Sequence, residues 1–386
     1  MVRRNLVLFY ILESILAFSG GIILPVYVVY FRHFGISLFQ VALLAAVFEG
    51  TILIFELPTG RLADRYGRKL STITGFISFG LAGLIFMIFR NWPGFILAEI
   101  FMGMGEAFIS GALEALVVDS LPEDKRDDRL AGLFANRSVF RTGFYLLGML
   151  FGGFIAVRFI DWLFFPMVGL GWLGAIMSAG LVESSSNGSH KCTERRKLAD
   201  LFRFVFSNRM IPALFMVGLL TNFIFEPVDQ FWQVLFSEIR GFNVESFGFL
   251  TAAGLLLAVL SVKFTARLYD RLGRYLAGCL ILIAVSIFLS VAGPPGPAMA
   301  GLIVYFTLKE LLRPAISTHL NRSFKAHDRA TYLSGYNLTC SIGEVAAGIV
   351  AGILAATAGV VPVFYMAAFL SIPVLGVYLF LAKRKK

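Results

Sequence analysis

Charge is what this chain has least of. Only 15% of its 386 residues are Asp, Glu, Lys or Arg, where a soluble domain carries about a quarter. So little polar surface excludes a water-soluble globule. Histidine is scarce as well: His33, His190, His319 and His327 are scattered over loops and the ends of apolar runs, with no spacing that would hold a metal. The three cysteines (Cys192, Cys279, Cys340) form no disulfide or metal pattern, and two of them sit in apolar runs as small packing residues. No phosphate-cradling glycine loop is present, since Gly67-Arg68-Lys69 lacks the P-loop frame. That absence excludes an ATP-driven pump. No cofactor and no enzyme chemistry is expected. Long polar domains, the expected marks of a receptor or scaffold, are also missing.

Apolar residues supply the rest, at 58% of the chain. Their runs are continuous, unlike the weakly alternating segments of about ten residues in a membrane β-barrel. The fold class is therefore all-α and polytopic. Run length predicts twelve spans, at 6–31, 38–58, 70–89, 93–119, 130–157, 162–182, 209–236, 245–267, 275–293, 297–319, 330–356 and 361–382. Gly293-Pro294-Pro295-Gly296-Pro297 separates two spans that would otherwise merge. The first run holds Glu13 and exceeds a secretory signal in length, so it reads as a retained helix. Residues 183–208 form the one long polar stretch and read as a linker between halves 1–182 and 209–386. The segment from Leu198 to Phe206 could lie as an amphipathic helix on the membrane.

The net charge of +10 invites a nucleic-acid reading. The positions of the charges decide against it. Twenty-five Lys and Arg fall at the two termini and the even-to-odd connections, and four (Arg32, Arg90, Arg158, Arg240) on the opposite side. This bias puts both termini in the cytoplasm and the basic excess against anionic lipid. The expected location is the membrane, the plasma (inner) membrane if the source is prokaryotic. The expected partner is lipid, for a monomeric chain.

One polar connection recurs. Thr59 to Ser71 reads TGRLADRYGRKLS, and Thr265 to Ala277 reads TARLYDRLGRYLA. The shared register points to two copies of one design. Gly60, Leu62, Asp64, Arg65, Gly67, Arg68 and Lys69 also resemble the loop between the second and third helices of the major facilitator superfamily. The resemblance implies twelve helices in two pseudo-symmetric bundles and secondary transport. It implies that Asp64 faces the N-terminus of span 11 and that Arg68 reaches Asp119, together latching the cytoplasmic side. Asp270, Arg271, Gly273 and Arg274 would form a weaker second latch. Gly60 and Gly67 are expected to let the chain turn at the membrane surface. Two positions depart from the family's antiporter pattern. Glu99 stands where an Arg precedes Gly103 and Gly105, and the run from Gly148 to Gly153 lacks a proline.

Nine acids and four bases lie well inside the spans: Glu13, Glu49, Glu99, Glu106, Glu114, Glu226, Asp229, Glu310 and Glu344 against Arg137, Arg141, Lys309 and Arg313. Each costs about 2.5–3.5 kcal/mol at mid-helix if it faces lipid, so they must pair or face water. Counting depth at about 1.5 Å per residue predicts a Glu13/Glu114–Arg137 pairing and a Glu106–Arg141 pairing. These pairs either hold helices together or serve transport, and both readings stand. In span 7, Pro227 is expected to break the helix among Glu226, Asp229 and Gln233. The resemblance places Glu13, Glu106, Glu226, Asp229, Gln233, Lys309 and Arg313 toward a central cavity. Surplus carboxylates suit proton coupling, because an apolar cavity favours the neutral acid. With 40 Phe, 12 Tyr and 4 Trp they would also suit an amphipathic cation. The function expected is proton-coupled export of a small organic solute, with a solute:proton importer as the alternative on the same fold.

Overall fold

A computed structural model of the chain describes residues 2–121, 126–183, 210–265, 272–323 and 329–383. The described residues are almost wholly helical, with no strand among them. Span 1 runs Val2–Ile23 and, after a single turn of 3-10 helix at Leu24–Val26, continues as Tyr27–His33. Spans 2 and 3 are Leu38–Tyr66 and Arg68–Ile88. Span 4 is divided into Trp92–Ile109 and Ala112–Asp119, and spans 5 and 6 are Arg126–Phe159 and Phe165–Ser178. Spans 7 and 8 are Met210–Val234 and Glu245–Thr265, and spans 9 and 10 are Leu272–Ala292 and Pro295–Ser323. Spans 11 and 12 are Arg329–Ala358 and Val360–Lys383.

The breaks follow from local chemistry. Pro25 has no N–H to give the preceding turn. Ser110-Gly111 ends the first part of span 4, with Gly111 at φ 73°, a left-handed angle that favours glycine. At the start of span 2 the Ser37 hydroxyl accepts from the Gln40 amide at 3.2 Å, and the Gln40 side chain accepts from Ser37 N–H at 2.9 Å. This reciprocal cap satisfies two otherwise orphaned donors.

Chain contacts divide the protein into two compact units, Met1–Ser186 with Asn243–Phe249, and Asn187–Phe242 with Leu250–Lys386. Four neighbour relations recur between the two units. In the first unit spans 1 and 5, 3 and 4, 3 and 6, and 1 and 6 are neighbours. In the second the neighbours are 7 and 11, 9 and 10, 9 and 12, and 7 and 12. Repeating these neighbours is what two copies of one sequence design should do.

Spans 1 and 5 approach at backbone distance. A Cβ on Gly148 or Gly152 would meet the carbonyl oxygens of Phe18 and Ile22, and one on Gly21 would meet that of Tyr145. Small residues thus let two helices touch main chain to main chain, a packing mode suited to lipid. Asn5 closes the same unit: its amide donates to Val182 O at 2.8 Å and accepts from Val182 N–H at 3.0 Å. Many large apolar side chains remain exposed, including Ile54, Val139, Ile176 and Phe369. In water that surface would be a liability; in a bilayer it faces its solvent.

Candidate functional site

The first cluster of charge is built on the two arginines of span 5. Arg137 and Arg141 are one turn apart and share a face. The Arg137 guanidinium bridges two acids, Glu13 Oε1 at 2.9 Å and Glu114 Oε2 at 2.7 Å. Its plane also lies over Phe9, 5.7 Å from the ring centroid. Arg141 reaches the other oxygen of Glu13 at 3.2 Å. Glu13 is therefore held by two cations while its side chain is 5% exposed. The expected Glu106–Arg141 ion pair is not formed among the described residues; Glu106 lies within electrostatic reach of Arg141, Glu13 and Arg137 without touching them. Counting residues along each span brings Glu13, Glu114 and Arg137 within reach of one another. Rotation about each helix axis decides which of them meet, and burial gives Glu13 first claim on both cations.

A second acid stands apart. Glu99 in span 4 is fully buried and accepts the Tyr27 hydroxyl at 2.5 Å. Around this end of the unit Tyr30, Phe31, Phe86, Phe95 and Phe164 pack into a closed aromatic core.

The basic connection between spans 2 and 3 is a sharp corner rather than a loop. Span 2 continues helically through Gly60, Asp64 and Arg65 to Tyr66, so the expected turn at Gly60 does not exist. Gly60 sits in a regular helix, where the flanking Arg61, Leu62 and Ala63 are good helix formers. Gly67 alone makes the corner, at φ 102°. A side chain there would be strained, and its Cβ would collide with the Glu183 carboxylate. That carboxylate accepts from the Lys69 amide at 2.7 Å, so the end of span 6 caps the start of span 3. Arg68 forms an ion pair with Asp119 at the end of span 4. Asp64 is exposed and makes no ion pair among the described residues.

The second unit carries a different arrangement. Asp229 is held by Lys309 and by the Tyr305 hydroxyl, which donates to Oδ1 at 3.0 Å. One turn earlier, Glu226 accepts from the Gln230 amide at 2.6 Å. Asp229, Glu344 and Lys309 all lie close enough to Glu226 to act on it through charge. Span 7 is not broken at Pro227, contrary to expectation; the helix runs on to Val234 and loosens into a π-turn at Leu235–Ile239. A proline inside a membrane helix costs one hydrogen bond, and neighbouring groups re-satisfy the freed carbonyl. Gln233 is buried and Glu310 half-buried. Asp270 and Arg271 lie outside the described residues, as does the expected surface helix from Leu198 to Phe206. Gly273, Arg274 and Arg313 are placed only as helical backbone in spans 9 and 10. Among the described residues no His, Cys, Asp and Glu group could hold a metal.

Comparison with known proteins gives these clusters a context. The Major Facilitator Superfamily model matches residues 9–309. The chain belongs to the major facilitator superfamily. It is a transporter of that superfamily and not an enzyme. It is 24% identical over 385 residues to the uncharacterized MFS-type transporter YxaM of Bacillus subtilis (strain 168), covering 95% of this chain and 94% of that one. To Multidrug resistance protein 2 of the same organism it is 27% identical over 376 residues, covering 92% and 90%. Among solved structures, the nucleoside transporter NupG superposes with TM-score 0.80 at 12% identity, covering 98% of both chains. At that identity the likeness shows the fold alone. Within a facilitator fold, the sequence reading missed Tyr27, Tyr305 and Glu183. Each is an ordinary residue by type, and only the third dimension sets it against an acid or a helix end. The breaks at Pro25 and at Ser110-Gly111 were not expected, although proline and glycine are helix-kinking residues.

Proposed function

We propose that this facilitator exports amphipathic organic cations in exchange for protons, by alternating access of halves 1–182 and 209–386 in the plasma membrane. Both termini then lie in the cytoplasm, as the basic bias requires. The observation that carries the reading is that two span carboxylates are held by neutral groups in place of a cation. Glu99 is bound by a tyrosine and Glu226 by a glutamine amide, with no Lys or Arg paired to either among the described residues. Groups of this kind can take up and release protons, and an ionised Glu226 beside Asp229 favours a cationic solute. The likeness to Multidrug resistance protein 2 over nearly the whole chain supports export.

Proteoliposomes loaded with ethidium should release the dye faster when the outside is made acid, and a protonophore should abolish the gain. Equal rates with and without the gradient would remove proton coupling. Dye accumulating inward with protons would favour the importer.

We assign Asp64 the role of a cytoplasmic latch, with Arg68 and Asp119 holding the corner that presents it. A purely basic anchor gains nothing from an acid among four bases. Asp64→Asn is expected to lower ethidium flux about tenfold. The melting temperature should stay unchanged, because the side chain is exposed. Normal flux in this variant would refute the latch.

A further inference from the structure

Glu99 has a property that no member of the arginine cluster shares. Oε1 accepts the Tyr27 hydroxyl at 2.5 Å. Oε2 is equally buried and has no hydrogen-bond partner among the described residues. Burial and Tyr27 are the influences that act on this carboxyl; no cation contributes. Of the elements packed here, span 3 presents Phe86 and the end of span 1 presents Tyr30, Phe31 and Tyr27. Tyr30 is committed to the Phe86 carbonyl at 2.7 Å. Span 2 contributes Phe48 and Thr51 one turn along, at Gly103. The other acids of these helices are Glu49 on span 2 and Glu106, two turns further along span 4 beside Arg141.

A bare carboxylate with one hydrogen bond and no counter-ion, sealed from solvent, carries a large desolvation cost. Buried polar atoms are nearly always satisfied, so an orphaned oxygen calls for an explanation. A proton on Oε2 supplies one: it cancels the charge and leaves a single neutral hydroxyl to accommodate. The position of Tyr27 supplies a way to release it. Tyr27 is the first residue after the Leu24–Val26 turn of 3-10 helix, on a short helix of seven residues. Withdrawal of the Tyr27 hydroxyl would open the acid to water.

We propose that Glu99 is a proton-binding site, closed by Tyr27, that discharges when the tyrosine withdraws and water reaches the carboxyl. On discharge the O–H bond of Glu99 breaks, the proton passes to water and the carboxylate keeps the electron pair. The role in coupling rests on the proton-exchange reading of function; the occupancy of the site does not.

The test uses the full-length protein in lipid, comparing wild type with Glu99→Gln, an isosteric stand-in for the neutral acid. Infrared difference spectra at neutral pH should show a protonated-carboxyl carbonyl band in wild type that the variant lacks. Gradient-free ethidium counterflow should stay within about twofold of wild type, while gradient-driven efflux falls at least about tenfold. A band unaffected by the substitution overturns the site. Band loss with gradient-driven efflux intact overturns its part in coupling. Wild type that ignores the gradient overturns the proton-exchange reading itself, and the infrared arm then still decides whether Glu99 holds a proton.

Discussion

Arg137→Met is expected to remove most of the folded protein from the membrane. The side chain is the hub of the first unit: it bonds Glu13 of span 1 at 2.9 Å and Glu114 of span 4 at 2.7 Å, from span 5. Deleting one partner of a buried ion pair costs about 3–5 kcal/mol, because the charge left behind is uncompensated. Arg137 is 25% exposed and Glu114 41%, so the lower end applies. Even that is a large part of a typical stability of about 5–15 kcal/mol. Arg141 is a poor substitute, at 3.2 Å from Glu13 and 56% exposed. The melting temperature should fall on the order of ten degrees. Arg137→Lys should land between, since an ammonium cannot bridge two carboxylates and lie flat over Phe9. The decisive variant is Glu13→Gln combined with Arg137→Met. It removes the stranded charge and should recover most of the loss, a non-additivity that marks true coupling. The readout is the monodisperse peak surviving heating in detergent. Arg137→Met melting with wild type would overturn the account.

The twelve helices were legible in the sequence because a bilayer leaves few choices. Every backbone group must bond within the chain, so an apolar run of spanning length has one solution. The two interruptions of spans 1 and 4 were written as chemistry, in Pro25 and in Ser110-Gly111, yet run length alone passes over them. The basic corner shows the same limit in reverse. Two glycines looked equivalent in the motif, but only Gly67 has a positive φ, at the corner where the Glu183 carboxylate packs against it. That contact joins residues far apart in sequence and no local pattern encodes it. The ion pairs were half legible. Axial depth follows from counting residues, which put Glu13, Glu114 and Arg137 level. Azimuth depends on helix packing, which gave Arg141 to Glu13 in place of Glu106. Tyr27 and Tyr305 were illegible for a further reason: among so many aromatic side chains, nothing in the sequence separates a hydrogen-bonding hydroxyl from packing bulk.

The two units differ in how their charge is balanced, and this leads to the largest expected effect on ligand handling. In the first unit two arginines answer Glu13 and Glu114. In the second, among the described side chains, Lys309 alone answers Asp229, with Glu226 and Glu344 nearby. The Lys309 and Asp229 side chains are 15% and 25% exposed, so the pair is not sealed. An organic cation arriving there would compete with the lysine for the same carboxylate. Lys309→Met removes the competitor. Two unit charges about 5 Å apart interact by about 3 kcal/mol at an effective dielectric constant near 20. Partial exposure and salt reduce this, leaving a tightening of ethidium binding of about tenfold, as one factor of ten is 1.4 kcal/mol. Transport should move the opposite way. Release of the cation would now strand Asp229, and flux should fall at least about tenfold even as affinity rises. Lys309→Arg keeps the charge and should retain wild-type affinity. The measurements are equilibrium ethidium binding by fluorescence anisotropy and flux in proteoliposomes. Weaker binding in Lys309→Met would mean that the lysine contacts the solute directly, and the cation assignment would give way to an anionic one.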